Sequence, residues 1–303
     1  MNKNFILTGA AGYIAPRHIE AIKKTGNNLL AVVDPHDSVG ILDKYFLDVA
    51  YFKEFERFDR HISKLISKGI KIDYLSICSP NYLHDAHIRY GMRIGADVIC
   101  EKPLVITPNN CDELIKIEKK YNRKINVILQ ARLHPSIIEL KRRIDSEDNS
   151  NYKIDLTYYT PRGLWYKYSW KGREDQSGGL AANIGIHCFD ILIWIFGKVL
   201  DSTVFEYNYD YICGKLTLEK ALVEWQLCID SNCFPGSKTY RCIEIIDKND
   251  ETVTKIDFSN GFSNLHVLSY EKILKGEGFG VNDAYPSIDL AYSIRKDGHK
   301  FNS

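Results

Sequence analysis

Several things are missing from the 303-residue chain, and each absence removes a class of protein. Neither sign of charge is in excess: 40 Lys and Arg stand against 39 Asp and Glu, a formal net charge of +1. No global field steers it to phosphate polymers or anionic lipid, which argues against a general nucleic-acid or membrane-surface binder. The run Lys116, Lys119, Lys120, Arg123 and Lys124 reads as a solvated helix face. No Cys-x-x-Cys occurs among Cys78, Cys100, Cys111, Cys188, Cys213, Cys228, Cys233 and Cys242, so the close-spaced ligand pairs of a structural zinc site are not found and no metal is expected. The N-terminus carries no basic segment with an apolar core and cleavage site, and no apolar run is read as approaching the ~18 residues of a membrane helix. The expectation is a cytoplasmic protein whose cysteines are free thiols, mostly small buried hydrophobes. Repeats and low-complexity tracts are also lacking. What remains is an ordinary globular composition, 45% apolar and 26% charged, long enough for two domains.

The first positive signal is at the N-terminus. The apolar run Phe5–Thr8 ends at Gly9-Ala10-Ala11-Gly12-Tyr13-Ile14-Ala15-Pro16, and Ala15, Ile19 and Ile22 then recur at helical spacing. Pro16 suits a helix's first turn, where a missing N–H costs nothing. A second apolar run, 29–33, ends at Asp34. Strand, glycine turn, helix, strand and acid form the outline of a dinucleotide site. Gly9 and Gly12 let backbone approach a pyrophosphate, and Asp34 is placed to accept from an adenosine ribose. A bare βα turn with a surface Asp is the alternative. Asp34 repels a 2′-phosphate and Pro35-His36-Asp37 offers no arginine, so NAD is favoured over NADP.

The alternation continues. Strands are expected at 73–78, 97–100 and 125–129, with helices at 84–94 and 108–121 between and after them, which predicts a doubly wound parallel sheet over 1–130. In such sheets ligands lie beyond the carboxyl ends of the strands. Gly12, Asp34, Ser79, Asn81, Glu101, Lys102 and Gln130 all fall at such ends. Over 131–303 the pattern changes. A helix at 135–144 and a polar loop at 146–151 precede long alternating strands, starting at Ile154 and then at 204–212, 221–229, 240–246 and 252–258. Helices are expected at 183–196, 264–274 and 282–295. This predicts an open, mostly antiparallel sheet in a second α+β domain.

Three motifs together resemble the Gfo/Idh/MocA oxidoreductase family: the N-terminal nucleotide turn, Glu101-Lys102-Pro103 after a strand, and Gly178-Gly179-(x)3-Asn183-(x)-Gly185-(x)-His187-(x)2-Asp190 opening a helix. Gly9–His18 and Arg162–Gly172 are similar to the branch that oxidises the 3-hydroxyl of UDP-N-acetylglucosaminuronate with NAD, on the way to bacterial surface polysaccharides such as O-antigen. The resemblance implies NAD contacts from Gly9, Gly12, Tyr13, Ile14, Asp34, Ser38, Ser79, Asn81, His84, Glu101, Lys102 and Gln130. It implies substrate contacts from Lys102, Arg162, Tyr166, Asn183, His187 and Arg17, with Lys102, His187 and Asn183 as the catalytic set. It implies a homo-oligomer, dimer or tetramer, and in some relatives 2-oxoglutarate as electron acceptor. Many members carry Asp where this chain has Asn183, and an amide cannot act as a base but still donates and accepts hydrogen bonds.

Oxidising a secondary alcohol needs a base for the hydroxyl proton. Lys102 serves if its pKa is drawn down by burial and a nearby nicotinamide cation, and His187 is the rival, with an ordinary pKa of ~6.5. Asp190 reads as orienting a neighbour. A UDP-uronate carries a diphosphate and a carboxylate. Arg162, Lys167, Lys171 and Arg173 interleave with Trp165, Tyr166, Tyr168 and Trp170, suited to clamping anions and stacking on rings. Tyr, Trp and Arg are equally enriched at subunit contacts. Two other functions stay open: a dehydrogenase of another nucleotide sugar, free sugar or inositol, and a non-catalytic NAD-sensing regulator on the same fold. Loss of Lys102 or His187 would favour the regulator, and both are present.

Overall fold

The computed structural model describes residues 2–147, 152–233, 239–246, 252–257 and 264–301. Its contacts divide the chain into two compact units, the first of Met1–Val105, Asn109–Gln130 and Asn264–Asp283, the second of Ile106–Pro108, Ala131–Ser263 and Ala284–Ser303.

In the first unit, β1 (Asn4–Thr8), α1 (Ala15–Lys24), β2 (Asn28–Val33), β3 (Ala50–Phe52), α2 (Phe55–Ser67), β4 (Tyr74–Ile77), α3 (His84–Arg93), β5 (Asp97–Cys100), α4 (Pro108–Tyr121) and β6 (Ile125–Val127) follow one another. The strands pair in the order β3-β2-β1-β4-β5-β6, all parallel. Near-continuous apolar strands explain this: Phe5, Ile6, Leu7, Val32, Leu75, Ile77, Val98 and Ile99 are buried, as strands covered on both faces require. β3 and α2 lie in a stretch for which the sequence pattern predicts nothing. Only Phe58 and Ile62 of α2 are fully buried, too narrow a stripe to stand out among its charges.

The second unit contains α5 (Pro135–Ser146), β7 (Tyr152–Tyr159), α6 (Leu164–Tyr168), α7 (Glu174–Ser177), a π-helical turn (Ala181–Gly185), α8 (Ile186–Phe196), β8 (Val199–Tyr207), β9 (Tyr211–Leu218), β10 (Ala221–Cys228), β11 (Tyr240–Ile246) and β12 (Thr252–Asp257). The sheet order is β12-β11-β7-β10-β9-β8. It is mostly antiparallel, as expected, but β7 and β10 run parallel. The long connection between them, through α6, α7, α8 and the β8–β9 hairpin, makes that crossover possible. The alternation over Val204–Ile212, expected to be one strand, contains the hairpin: Asn208 N–H donates to the Tyr211 carbonyl and the chain reverses. The inner face is packed by Ile154, Leu156, Val223, Trp225 and Leu227, with Phe189 of α8 edge-on to Trp225 at 5.5 Å. On the opposite face, register aligns Lys215, Glu224, Asp155, Glu244 and Lys255 across five strands. The helical stretch Glu174–Phe196 is long and apolar enough by composition to cross a membrane, contrary to the sequence expectation, but 72% of its apolar window is buried in the fold.

Two helices close the chain, α9 (Leu265–Leu274) and α10 (Val281–Gly298). Though expected in the second domain, α9 belongs to the first unit. Tyr270 and Ile273 join Phe5, Leu7, Ile19 and Ile22 in one apolar cluster, so α9 packs beside α1. The expected thiols also need one correction. Cys228 and Cys233 form a disulfide, because the turn after β10 brings Cys233 back on the strand end. Cys78, Cys100, Cys111, Cys188 and Cys242 are buried and outside any disulfide, as is the half-buried Cys213. Residues 148–151 of the expected polar loop and Phe258 of the expected last strand lie outside the described residues.

Candidate functional site

The glycine turn sits between β1 and α1, and its shape depends on missing side chains. Gly9 has φ +82°, and a Cβ there would lie 2.5 Å from the Cys78 and Ser79 backbone. Only glycine suits both demands. No side chain caps the first turn of α1: Ala15 and Arg17 N–H donate to the Gly12 and Ile14 carbonyls, at 3.1 and 3.0 Å, and Pro16 has no N–H to satisfy. Asp34, at the end of β2, is buried. Its Oδ2 accepts from Ala11 N–H at 3.0 Å and its Oδ1 from His36 N–H at 2.9 Å. The acid therefore ties the glycine turn to β2 and keeps lone pairs for further donors. Tyr13 is exposed, Ile14 and Arg17 are half-buried, and Ser38 lies exposed in the loop beyond Asp34. Two buried oxygens at strand ends, Thr8 Oγ1 and Gln130 Oε1, have no hydrogen-bond partner. The pyrophosphate turn, the ribose acid and these orphaned acceptors fit a dinucleotide.

The other strand ends are occupied differently. Ser79 Oγ meets His87 Nδ1 at 2.8 Å, and Asn81 is buried in the turn before α3. His84 is buried with its ring nitrogens 2.8 Å from the Ser79 and Pro103 carbonyls, which joins the loops after β4 and β5. Glu101 is buried as well. Its Oε1 accepts from His18 Nε2 at 2.8 Å and from His266 Nε2 at 3.0 Å, and its Oε2 from Lys102 N–H at 3.2 Å. His84 and Glu101, expected among the cofactor contacts, are thus bonded inside the protein. Lys102 itself is half-buried and joined to Pro103 by a cis peptide bond.

In the second unit, Asn183 lies in the π-helical turn and its Nδ2 donates to Tyr166 OH at 2.6 Å. Such one-turn bulges are frequent at functional sites. Burial raises the pKa of Tyr166, and the neighbouring Arg162 opposes that rise. Arg162 also adds to the burial that lowers the pKa of Lys171. The structure thus brings together three members of the predicted aromatic-cationic segment. Tyr166 and Lys171 share with Ser177, Leu180, Tyr207 and Tyr209 the walls of a cavity of about 220 Å³. His187 is half-buried in the first turn of α8. Asp190 holds a neighbour, as expected: both its oxygens pair with Arg132, at 2.7 and 2.8 Å, and both side chains are buried. Sequence reasoning missed Arg132, His266 and Tyr270, and assigned His18 no role. Their partners lie 58 to 252 residues away, and no local spacing marks them.

Comparison with known proteins bears on the same two units. Residues 3–129 match the model for the oxidoreductase family's NAD-binding Rossmann fold, and residues 150–224 match its C-terminal alpha/beta domain. The WlbA (WbpB) dehydrogenase of Thermus thermophilus, crystallised with NAD and UDP-GlcNAcA, is 42% identical, with a TM-score of 0.91 over 97% of this chain and 94% of that one. Curated relatives match over less of their length. YteT of Bacillus subtilis is 28% identical over 163 residues, 52% of this chain and 37% of its own. D-glucoside 3-dehydrogenase of Escherichia coli is 27% identical over 159 residues, 48% of this chain and 44% of its own. The chain thus spans less than half the length of these two. The glycine turn, the parallel six-stranded sheet, the second sheet and both family matches agree: the chain belongs to the Gfo/Idh/MocA family of oxidoreductases and carries its NAD-binding Rossmann domain.

Proposed function

We propose that the protein is an NAD-dependent dehydrogenase that oxidises the 3-hydroxyl of UDP-N-acetylglucosaminuronate to the 3-keto sugar nucleotide, in the cytoplasm, as a step toward a bacterial surface polysaccharide. The observation that carries this reading is the likeness, over nearly the whole of both chains, to a WlbA dehydrogenase crystallised with NAD and UDP-GlcNAcA. WlbA of the same organism has also been crystallised with NAD and alpha-ketoglutarate, which supports 2-oxoglutarate as the acceptor that regenerates NAD. A homo-oligomer, dimer or tetramer, belongs to the same reading, as the resemblance implies.

Bound NAD supplies the hydride acceptor. Of this chain's residues, Gly9, Gly12, Tyr13 and Ile14 line the pyrophosphate turn, Asp34 and Ser38 take the adenosine ribose, and Ser79, Asn81 and Gln130 complete the strand-end contacts. Lys102 takes or positions the hydroxyl proton, with His187 the alternative base. Asn183 and Tyr166 orient the sugar through their shared hydrogen bond, Arg162 pairs with the carboxylate at C6, and Arg17 reaches the substrate from the first turn of α1.

The test is NADH formation by the purified protein with UDP-N-acetylglucosaminuronate, UDP-N-acetylglucosamine, a free glucoside and inositol, after mass spectrometry of its bound nucleotides. A buried charge-assisted pair contributes ~1.5–3 kcal/mol, so the uronate should outrun its neutral analogue roughly tenfold to hundredfold. Arg162→Leu should remove most of that preference, and Lys102→Met should lower turnover ~100-fold or more while NAD still binds. Equal rates with both nucleotide sugars would defeat the uronate assignment. The likeness to D-glucoside 3-dehydrogenase favours a second reading, a free-sugar dehydrogenase, which faster oxidation of the glucoside would establish.

A further inference from the structure

Behind Lys102, in the first unit, four buried side chains from three distant segments converge on one carboxylate. His18 comes from α1, His266 and Tyr270 from α9, and Ser76 from β4. His18 and His266 are 0% and 1% exposed, and both Nε2 atoms point at Glu101 Oε1. His18 Nδ1 meets Tyr270 OH at 2.8 Å, and Tyr270 OH meets Ser76 Oγ at 2.7 Å. The directions of these bonds follow from chemistry. An ionised carboxylate only accepts, so both Nε2 atoms carry hydrogen. His266 Nδ1 is buried and has no partner. The ring of His266 therefore acts on the cluster through Nε2 alone. Burial lowers the pKa of His18 and so keeps it neutral. Its Nδ1 then accepts from Tyr270, whose oxygen accepts from Ser76. All these donors run toward Glu101, and no guanidinium or ammonium is among them, so the carboxylate is held by hydrogen bonds directly before Lys102.

We propose that His18 and His266 are positioning residues for the chemistry at Lys102: they hold Glu101 in one orientation, and its second oxygen holds the Lys102 backbone N–H. The inference rests on the assignment of Lys102 to proton transfer. An arginine beside Glu101 would cancel its charge, whereas imidazoles hold the carboxylate firmly and leave its field acting on the neighbouring lysine. Among the described residues, Tyr270, Cys78, Cys100 and His84 are further titratable groups that interact with Glu101, all buried and interior. His18 and His266 accordingly control the protonation of Glu101. Its pKa lies well below the usual carboxylate range because the two histidines outweigh its burial.

The experiment measures kcat and KM of the full-length enzyme with NAD and UDP-N-acetylglucosaminuronate from pH 6 to 10. His266→Leu should lower kcat about 10–100-fold, the usual effect of removing an outer-shell partner. Both KM values should stay within about threefold, and the acid limb of the kcat profile, set by Lys102 losing its proton, should move to lower pH, because a buried carboxylate short of one donor takes a proton more readily and then no longer favours the ammonium form beside it. His266→Gln, whose amide N–H reaches the same place, should restore both rate and limb. Tyr270→Phe keeps the packing and loosens only His18, and should move the limb less in the same direction. An unchanged kcat and profile in His266→Leu would overturn the inference. So would equal losses in the Leu and Gln variants with NAD affinity falling in step, the mark of packing alone. An equivalent of bound metal that disappears in His266→Leu would overturn it too, since the cluster would then be a ligand set. Lys102→Met, run in parallel, separates the two claims. An inactive Lys102→Met beside a normal His266→Leu sinks only the positioning role, and an active Lys102→Met sinks the assignment of Lys102 itself.

Discussion

Asp190 and Glu101, a buried functional-motif carboxylate from each unit, are treated in opposite ways. Asp190, in the second, meets a guanidinium through both oxygens, so charge and counter-charge close on themselves. Glu101, in the first, is equally enclosed, yet its donors are imidazoles and a backbone N–H. A closed ion pair fixes geometry and sends little field outward. A carboxylate held by hydrogen-bond donors with no guanidinium against it is more expensive to bury and keeps more of its field for whatever lies next to it. The difference separates a structural clamp, joining α5's approach to α8, from a group that conditions its neighbour, Lys102.

The sharpest way to break the comparison is to strand one partner. Arg132→Leu leaves Asp190 buried without its cation and should cost about 3–5 kcal/mol, read from urea unfolding. Glu101→Gln should cost less, about 1–3 kcal/mol. The amide oxygen still accepts from both histidines, but its NH2 faces the Lys102 N–H. Its effect on kcat should exceed its effect on stability, the reverse of Arg132→Leu. If both variants lose rate and stability in the same proportion, the two carboxylates do one job.

Acid separates the units further. Burial lowers the pKa of His18 and His87, that of His87 to about 4. Below pH 6.5 the unfolded chain binds protons that these folded imidazoles refuse, so stability falls as pH falls, by up to ~1.4 kcal/mol per pH unit for each. Glu101, depressed in the folded state, contributes stability above 4.5 that is lost only as pH drops further, through its folded value. Melting temperatures from pH 8 to 3 should therefore fall in two stages. In His87→Gln the first should be shallower, and an unchanged slope would contradict the burial of His87. The smallest effect is expected from replacing a pair whole. Arg132→Met with Asp190→Leu should lie within about 1 kcal/mol of the parent, because no charge is left unpaired.

How much of this was legible depends on how far apart the partners lie. The βα alternation, the glycine turn and the acid at 34 are local patterns, and the parallel sheet follows from them. Glu101-Lys102-Pro103 and the Asn183–Asp190 segment were readable as motifs, and so was the orienting role of Asp190, although its partner Arg132 and the holding of Glu101 by two histidines were not. His266 lies 165 residues from Glu101 and sits on a helix whose apolar periodicity is compatible with either unit. The β8–β9 turn was hidden because Tyr207, Tyr209 and Tyr211 carry a strand-like alternation straight through it. The parallel β7–β10 pair was hidden because register is decided by the crossover and not by either strand's residues.

The placement of α9 has a consequence for how the chain is made. The nucleotide-binding unit is discontinuous: its last helix is synthesised only after the whole second sheet. Domains emerging from the ribosome usually fold in order, first half first. Here the first half emerges with Phe5, Leu7, Ile19 and Ile22 still lacking Tyr270 and Ile273, and with Glu101 still lacking one of its two histidines. Until α9 docks, an apolar face and an unsatisfied buried acid wait together. A nascent nucleotide domain of this kind depends on translation passing through the whole second sheet to α9, and a chain cut short after the Rossmann strands should be bound by chaperones, not by NAD.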